Sequence, residues 1–115
     1  MKYYEEEFEI STQKNLKFKF KKLSALDVLT MSNEFEMYAG THDSSIYKNY
    51  VDEILRATSV CINERWFNLK EGNNLYTPAD IESDFKGLRE ITNKFFTIVI
   101  SPVFQESNES SNEPD

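Results

Sequence analysis

The residues of this chain that could do chemistry are few and far apart. His42, the only histidine, falls in a polar segment between two predicted helices. Cys61, the only cysteine, falls on the apolar side of the second of those helices. A cysteine nucleophile needs a base beside it, and a zinc site needs further ligands at close spacing, neither of which the sequence offers. We therefore expect no catalytic residue, no bound metal and no cofactor.

The acidic side chains do not predict a catalytic pair. Asp52, Glu53 and Arg56 have the spacing of an exposed helix side, and Glu82 and Asp84 have that of surface residues. The sequence also lacks the glycine-rich loop that binds phosphate groups. We expect a non-enzymatic protein.

Length and charge narrow the class of protein further. A chain of 115 residues is expected to form one domain around one hydrophobic core. Its 20 acidic and 13 basic side chains give a net charge of −7, and such a surface repels nucleic-acid phosphates. No apolar run is long enough to span a membrane, and the acidic N-terminal residues do not resemble a signal peptide. We expect a cytoplasmic protein that binds neither nucleic acid nor membrane.

A long amphipathic segment near the carboxyl end is the element on which the others should pack. Thr77 and Pro78 are typical of a helix start, and Pro102 is expected to end the helix. Apolar residues recur every three or four positions between them, which predicts a helix over about residues 78–100. Its predicted core face consists of Ile81, Phe85, Leu88, Ile91, Phe95, Phe96 and Val99.

Residues 3–22 alternate apolar and charged side chains, which is the period of a β-strand. A β-hairpin that pairs Phe8 with Phe18 and Ile10 with Leu16 would bury these four side chains on one side. On the other side glutamates would face lysines, and each such pair contributes roughly 0.2–1 kcal/mol. The predicted pairs are Glu9 with Lys17, Glu7 with Lys19 and Glu5 with Lys21.

Two shorter helices are predicted between the hairpin and the long helix. Ser24 is a helix cap with Asp27 in the capping-box position, so the first helix should run over about 25–39 and stop at Gly40. The second helix is predicted over about 45–63. The predicted buried stripe of the first consists of Val28, Leu29, Met31, Phe35 and Tyr38.

Together these elements predict an α+β domain that is mainly α and covers residues 1–104. An N-terminal β-hairpin packs on a three-helix core whose last member is the long C-terminal helix. Residues 105–115 are polar and acidic, with no apolar side chain, and are predicted to form a disordered tail.

Three stretches of the chain carry a resemblance to a known family. Residues 18–29, FKFKKLSALDVL, form a short basic strand that leads into a Leu-Ser-Ala-x-Asp helix start. Residues 66–69, WFNL, follow the middle helix, and a Thr-Pro helix start at 77–78 leads to FFTIVISPVF at 95–104. In this order, over about residues 16–104, the chain resembles the tail assembly chaperones of long-tailed bacteriophages and prophages.

The resemblance implies an assembly factor that is absent from the finished virion. Proteins of this family bind the apolar-rich tape measure protein, keep it soluble and help to recruit tail tube subunits around it. The candidate partner contacts are the exposed members of Trp66, Phe67, Val103 and Phe104. Weak homo-oligomerisation is expected, since many copies would coat one client. The alternative is a small acidic regulatory or inhibitory protein-binding module of a phage or bacterium.

Overall fold

The computed structural model describes residues 2–70 and 81–105. The predicted helix start at 77–80 and the predicted tail beyond residue 105 lie outside the described residues. The α+β class is confirmed, with 57% of the described chain helical. In chain order the elements are β1 (Phe8–Ile10), β2 (Gln13–Phe20), α1 (Ala25–Thr41), α2 (Ser44–Arg56), β3 (Thr58–Ile62), β4 (Arg65–Asn68), a 3-10 turn (Ile81–Ser83), α3 (Phe85–Phe95) and a π-helical turn (Phe96–Ile100).

The sheet is wider than the predicted hairpin, because residues 58–68 add two strands to it. Its strand order is β1-β2-β3-β4, with every neighbouring pair antiparallel. The prediction of a helix over 45–63 is therefore wrong beyond Arg56, where α2 ends. Tertiary pairing overrides the helical spacing here. Without β3 the strand β2 would expose an unpaired edge, and the β-branched Val60 and Ile62 suit a strand.

A two-residue turn at Asn63 and Glu64 joins β3 to β4. Both residues have positive φ, 52° and 66°, as in type I′ turns, whose twist matches that of the flanking strands. The turn sets Cys61 opposite Trp66. Cys61 is thus half-buried on a strand and does not lie on the apolar side of a helix.

The register of β1 against β2 follows the sequence prediction at one position only. Phe8 pairs with Phe18 as predicted, but Ile10 pairs with Gln13 and not with Leu16. The turn between the strands is shorter than predicted, so a bulge between Phe8 and Ile10 absorbs the difference.

The predicted ladder of charge pairs does not form. Tyr3 takes the place opposite Lys21, and the nearest lysine to Glu7 is Lys17, with an N–O distance of 4.0 Å. At Lys21 the pairing is shifted by two residues from the predicted register, and Nζ of Lys19 lies over the rings of Tyr3 and Trp66. The predicted pairs of Glu9 with Lys17, Glu7 with Lys19 and Glu5 with Lys21 are wrong.

The core lies between the inner side of the sheet and α3. Phe95 on α3 is fully buried and meets Phe20 edge to face, with ring centroids 5.2 Å apart. Phe20 lies 5.0 Å from Phe8, and Phe8 stacks on Phe18 at 5.8 Å. This chain of four rings ties the helix to β1 and β2.

Helix α1 begins as predicted and ends later than predicted. The Ser24 hydroxyl accepts a hydrogen bond of 3.1 Å from the Asp27 N–H, which confirms the cap. The helix passes through Gly40 to Thr41, and His42 caps it with a φ of 56° and an N–H that donates to the Tyr38 carbonyl at 2.6 Å. The stop at Gly40 is therefore wrong, because His42 itself adopts the left-handed conformation that closes a helix.

The helix predicted over 78–100 is interrupted at its start and continues past its predicted end. A 3-10 turn precedes α3, and residues 101–105 remain helical through Pro102. In the π-helical turn ahead of Pro102 the Ser101 N–H donates to the carbonyl of Phe96, five residues back. Proline clashes with the carbonyl four residues back in a regular helix. A widened turn is the kind of irregularity that lets a helix continue past proline.

Replacing Gly87 with alanine is expected to destabilise the fold, although alanine is the better helix former. Asp84 caps α3 by accepting from the Gly87 N–H at 2.9 Å, and the Thr12 hydroxyl donates to the same carboxylate. A Cβ at Gly87 would clash with Oδ2 of Asp84 and lie 2.9 Å from the Thr12 hydroxyl. We expect the free energy of unfolding, measured in urea, to fall by about 1–2 kcal/mol.

Gly40→Ala is the matched control for this prediction. Gly40 is also helical, and among the described residues nothing lies within 4 Å of the position its Cβ would take. Alanine there should raise the free energy of unfolding by roughly 0.5–1 kcal/mol. Equal effects at the two glycines would contradict the tight packing around Asp84.

Candidate functional site

Exposed aromatic side chains line a groove between the helices. The groove runs between α1 and α2 on one side and α3 with the π-helical turn on the other, and it encloses about 680 Å³. Phe35 is 38% exposed, Phe96 48% and Phe85 73%, although large apolar side chains are usually buried. We name this surface the aromatic groove. It is lined by Phe35, Tyr38, Tyr47, Tyr50, Phe85 and Phe96 together with Arg89, Thr92, Asn93 and Thr97.

Helix α3 and the π-helical turn that follows it carry two apolar stripes. Ile91 and Phe95 are fully buried, whereas Phe85 and Phe96 line the groove with Arg89 between them. The prediction that Phe85 and Phe96 belong to the core face is therefore wrong. Seven apolar residues make a face wider than the surface that the sheet covers, so the residues at its margin remain exposed.

Aromatic rings in mutual contact form the wall of the groove on α1 and α2. Tyr38 on α1 lies 4.5 Å from Tyr47 on α2, and Phe35 lies 5.4 Å from Tyr50, measured between ring centroids. Tyr47 and Tyr50 are 6.3 Å apart. These rings support one another across two helices, so contacts within the chain hold the wall in place.

A smaller cavity of about 310 Å³ continues the groove. The two share Tyr47, Phe85, Arg89 and Thr92. The remaining residues of the smaller cavity are the apolar Val51, Leu55 and Leu88 and the charged Lys48, Asp52 and Lys70. Its charged residues are thus mostly cationic, in contrast with the net charge of the chain.

Asp52 is held by two cations at the margin of this cavity. Nε of Arg56 lies 2.9 Å from its carboxylate and Nζ of Lys70 lies 3.3 Å from it. The hydrogen bond from Arg56 is the main cause that lowers the pKa of Asp52. This carboxyl group is ionised and paired at neutral pH, so it is poorly suited to act as a general base.

The polar groups near the groove suit binding better than bond-making. Burial raises the pKa of Tyr50 to about 12, so its hydroxyl stays protonated at neutral pH. His42 is exposed, and its ring meets Tyr38 edge-on at 5.9 Å. Across residues 2–70 and 81–105, no three histidine, cysteine or acidic side chains are grouped as a metal site would require.

A carboxyl pair also lies between α1 and α2. Oε2 of Glu34 accepts a hydrogen bond of 2.5 Å from Asn49. Oε1 of Glu34 is buried with no donor among the described residues. Burial, a hydrogen bond to Glu34 and nearby negative charge raise the pKa of Glu53 to about 7. This pair could not be predicted from the sequence, because the packing of two helices brings residues 34 and 53 together.

The structure does not bring the four predicted contact residues together in the groove. Trp66 is half-buried on the outer side of the sheet, where Nζ of Lys19 lies 4.2 Å from its ring. Phe67 pairs with the buried Val60 and therefore points to the inner side. Val103 packs against the core, and Phe104 is 39% exposed. None of these four lines the aromatic groove.

Comparison with known proteins returned no match. No family model, no curated protein and no solved structure is significantly similar to this chain. Within the described ranges, none of the helices has the length and apolar character needed to cross a bilayer. The groove therefore has to be interpreted from its own geometry.

Proposed function

We propose that this protein is a non-enzymatic binding protein that holds an apolar helical segment of a partner in the aromatic groove. The observation that carries the proposal is the exposure of Phe85 and Phe96 on one wall and Phe35 on the other. Burying an apolar side chain stabilises a protein, and these three phenylalanines forgo part of that stabilisation while they are exposed to water. A partner that covers them would supply it. Patches of this kind mark protein interaction sites.

The dimensions of the groove suit a helix. Phe85 and Phe96 lie eleven residues apart on one line of α3 and the turn after it, roughly 16 Å at 1.5 Å per residue. Three turns of a bound helix cover that length and present two or three apolar anchors at steps of three and four. Aromatic residues in such positions commonly contribute most of the binding energy.

The charges around the groove point to a partner with acidic flanks. Arg89 lies in the groove, with its guanidinium carbon 5.8 Å from the Phe85 ring. Lys48 and Lys70 lie in the adjoining cavity. An amphipathic helix with an apolar stripe and carboxylates beside it would complement both features.

The family resemblance suggests which protein that partner is. On that basis the client is the tape measure protein of a long-tailed phage, and the chain acts in the host cytoplasm as a tail assembly chaperone that also helps to recruit tail tube subunits. Trp66, Phe67, Val103 and Phe104 remain candidates for a second contact, with Phe104 the most exposed of the four. An acidic regulatory or inhibitory module is the alternative, and it would bind through its acidic surface and not through this groove.

Phe85→Ala is expected to weaken client binding about tenfold, because it removes the most exposed aromatic anchor of the groove. The measurement is co-expression with the tape measure protein, scored by soluble client, followed by titration of a fluorescent client helix. Leu26→Ala is the matched control, since Leu26 is 74% exposed against 73% for Phe85 but lies outside the groove.

Phe104→Ala tests the contact surface predicted from the sequence in the same assay. Loss of binding with Phe104→Ala but not with Phe85→Ala would place the client elsewhere and reject the groove. Failure of the unmodified chain to bind or solubilise a tape measure protein would reject the chaperone assignment itself.

A further inference from the structure

The outer side of α1 carries a second apolar surface that is separate from the aromatic groove. Leu26 is 74% exposed, Leu29 51% and Met37 48%. The buried residues Val28 and Met31 lie on the opposite side of the same helix. At 100° per residue the two stripes face nearly opposite directions, so the stripe at 26, 29 and 37 points away from the domain.

The spacing of this outer stripe is that of a helix–helix seam. Leu26, Leu29, Asn33, Met37 and Gly40 follow one another at steps of three, four, four and three, which is the spacing of an 11-residue repeat and keeps all five positions on one side of the helix. The pattern reads the same outward from Asn33 in both directions. Leu29 and Met37 are each four residues from Asn33, and Leu26 and Gly40 are each seven.

We propose that a second copy of this chain docks antiparallel on the outer stripe of α1, about a two-fold axis that passes at Asn33. Each Leu29 then packs on Met37 of the second copy, and each Leu26 packs over Gly40. Among the described residues nothing lies within 4 Å of the position a Gly40 Cβ would take, which leaves room for a leucine side chain. The two Asn33 amides meet at the axis, where each can donate to and accept from the other.

The distribution of charge on α1 favours the antiparallel arrangement. About an axis at Asn33, Glu36 lies opposite Thr30, and Asp27 lies opposite Ala39. A parallel pair would instead set Glu36 against Glu36. For a chain of net charge −7, such like-charge contacts oppose association, and the antiparallel pairing contains none of them.

The size of the stripe indicates a weak dimer. Three half- to three-quarter-exposed apolar side chains per copy provide less than the roughly 800 Å² per partner of a standard interface. Self-association should therefore depend on concentration. Of the residues outside the described ranges, 106–115 contain no large apolar side chain, whereas 71–80 contain Leu75 and Tyr76. Coverage of the stripe by the chain itself is the outcome that Leu29→Gln distinguishes below.

Cysteine cross-linking in a Cys61→Ser background tests the geometry. Asn33→Cys places two thiols at the axis, and oxidation by diamide, which is itself reduced as the two thiols become one disulfide, should yield a covalent dimer. Leu26→Cys alone should not cross-link, because its counterpart is Gly40, whereas the double variant Leu26→Cys/Gly40→Cys should. Cross-linking of Leu26→Cys as fast as that of Asn33→Cys would indicate a parallel or random encounter and overturn the proposal.

Sedimentation equilibrium tests the proposed dimer surface without the introduction of cysteines. Leu29→Gln is expected to weaken self-association at least tenfold, whereas Phe85→Ala, in the groove, should leave it unchanged. A chain that stays monomeric up to about 1 mM would reject the proposal. So would Leu29→Gln if it lowered the unfolding midpoint of the dilute monomer, because the stripe would then be covered by its own chain.

Discussion

Phe95→Ala is expected to lower the free energy of unfolding by about 3–5 kcal/mol, a large part of the stability of a domain this small. Phe95 is fully buried and lies edge to face against Phe20, 5.2 Å between ring centroids. Its removal leaves a cavity where α3 meets β2 and breaks the chain of rings that continues through Phe8 to Phe18. The measurement is the midpoint and slope of urea unfolding.

Phe85→Ala is the matched control, since it removes the same ring from the same helix. Phe85 is 73% exposed, so its loss should change the free energy of unfolding by no more than about 0.5 kcal/mol. If Phe85→Ala proved as destabilising as Phe95→Ala, the side chain would have to be buried in solution. The aromatic groove would then not exist as an open surface.

The sequence was sufficient to predict those features of the fold in which a residue acts on its immediate neighbours. Ser24 caps α1 through the Asp27 N–H, as its position predicts, because a cap depends on residues within one turn. The pairing of Phe8 with Phe18 was also predictable, since alternating side chains fix which of them share a side of the sheet.

The strands β3 and β4 were not predictable from helical spacing. Val60, Cys61 and Ile62 fit a helix stripe and a strand equally well over so short a run. The choice depends on β2, about forty residues earlier, which needs a partner for its edge. A usable local signal was present in Asn63, which tolerates the positive φ that a two-residue turn requires.

The groove could not be derived from the sequence for a similar reason. Periodicity shows that Phe85 and Phe95 lie near the same side of α3, but it does not show how much of that side the sheet covers. Only the packed structure separates the buried Phe95 from the exposed Phe85. Likewise Phe35 was predicted to be buried on α1, whereas it lines the groove at 38% exposure.

The carboxyl pair between α1 and α2 is expected to make the free energy of unfolding depend on pH. Glu53 faces Glu34 and Asp27 from α1, Asp52 and Arg56 on its own helix, and Lys21 at the end of β2. A proton on Glu53 gives the buried Oε1 of Glu34 a donor that it otherwise lacks among the described residues. Burial is the largest cause that raises the pKa of Glu53, and the pKa reaches about 7 against 4.5 in a free side chain.

The free energy of unfolding is therefore expected to fall as pH rises from 4.5 to above 7. In that interval the folded state holds a proton on Glu53 that the unfolded state has lost, so the stabilisation is complete below the unfolded pKa and is lost as pH passes the folded one. The loss amounts to at most about 3 kcal/mol for a shift of this size. Asp43, Asp52 and Glu90 have lowered pKa values. Their contributions to the free energy of unfolding therefore change at pH values below this interval.

Glu53→Gln isolates the effect, because glutamine keeps the shape, cannot ionise and can donate its amide to Glu34. Urea unfolding of both proteins should give similar stability near pH 4.5, while at about pH 8 the variant should be the more stable by roughly the amount that the unmodified chain has lost. His42 and the carboxylates that do not interact with Glu53 are common to both proteins and cancel in the difference. Parallel pH profiles would show that Glu53 is ionised in the folded state throughout, and that α1 and α2 pack with both carboxylates charged.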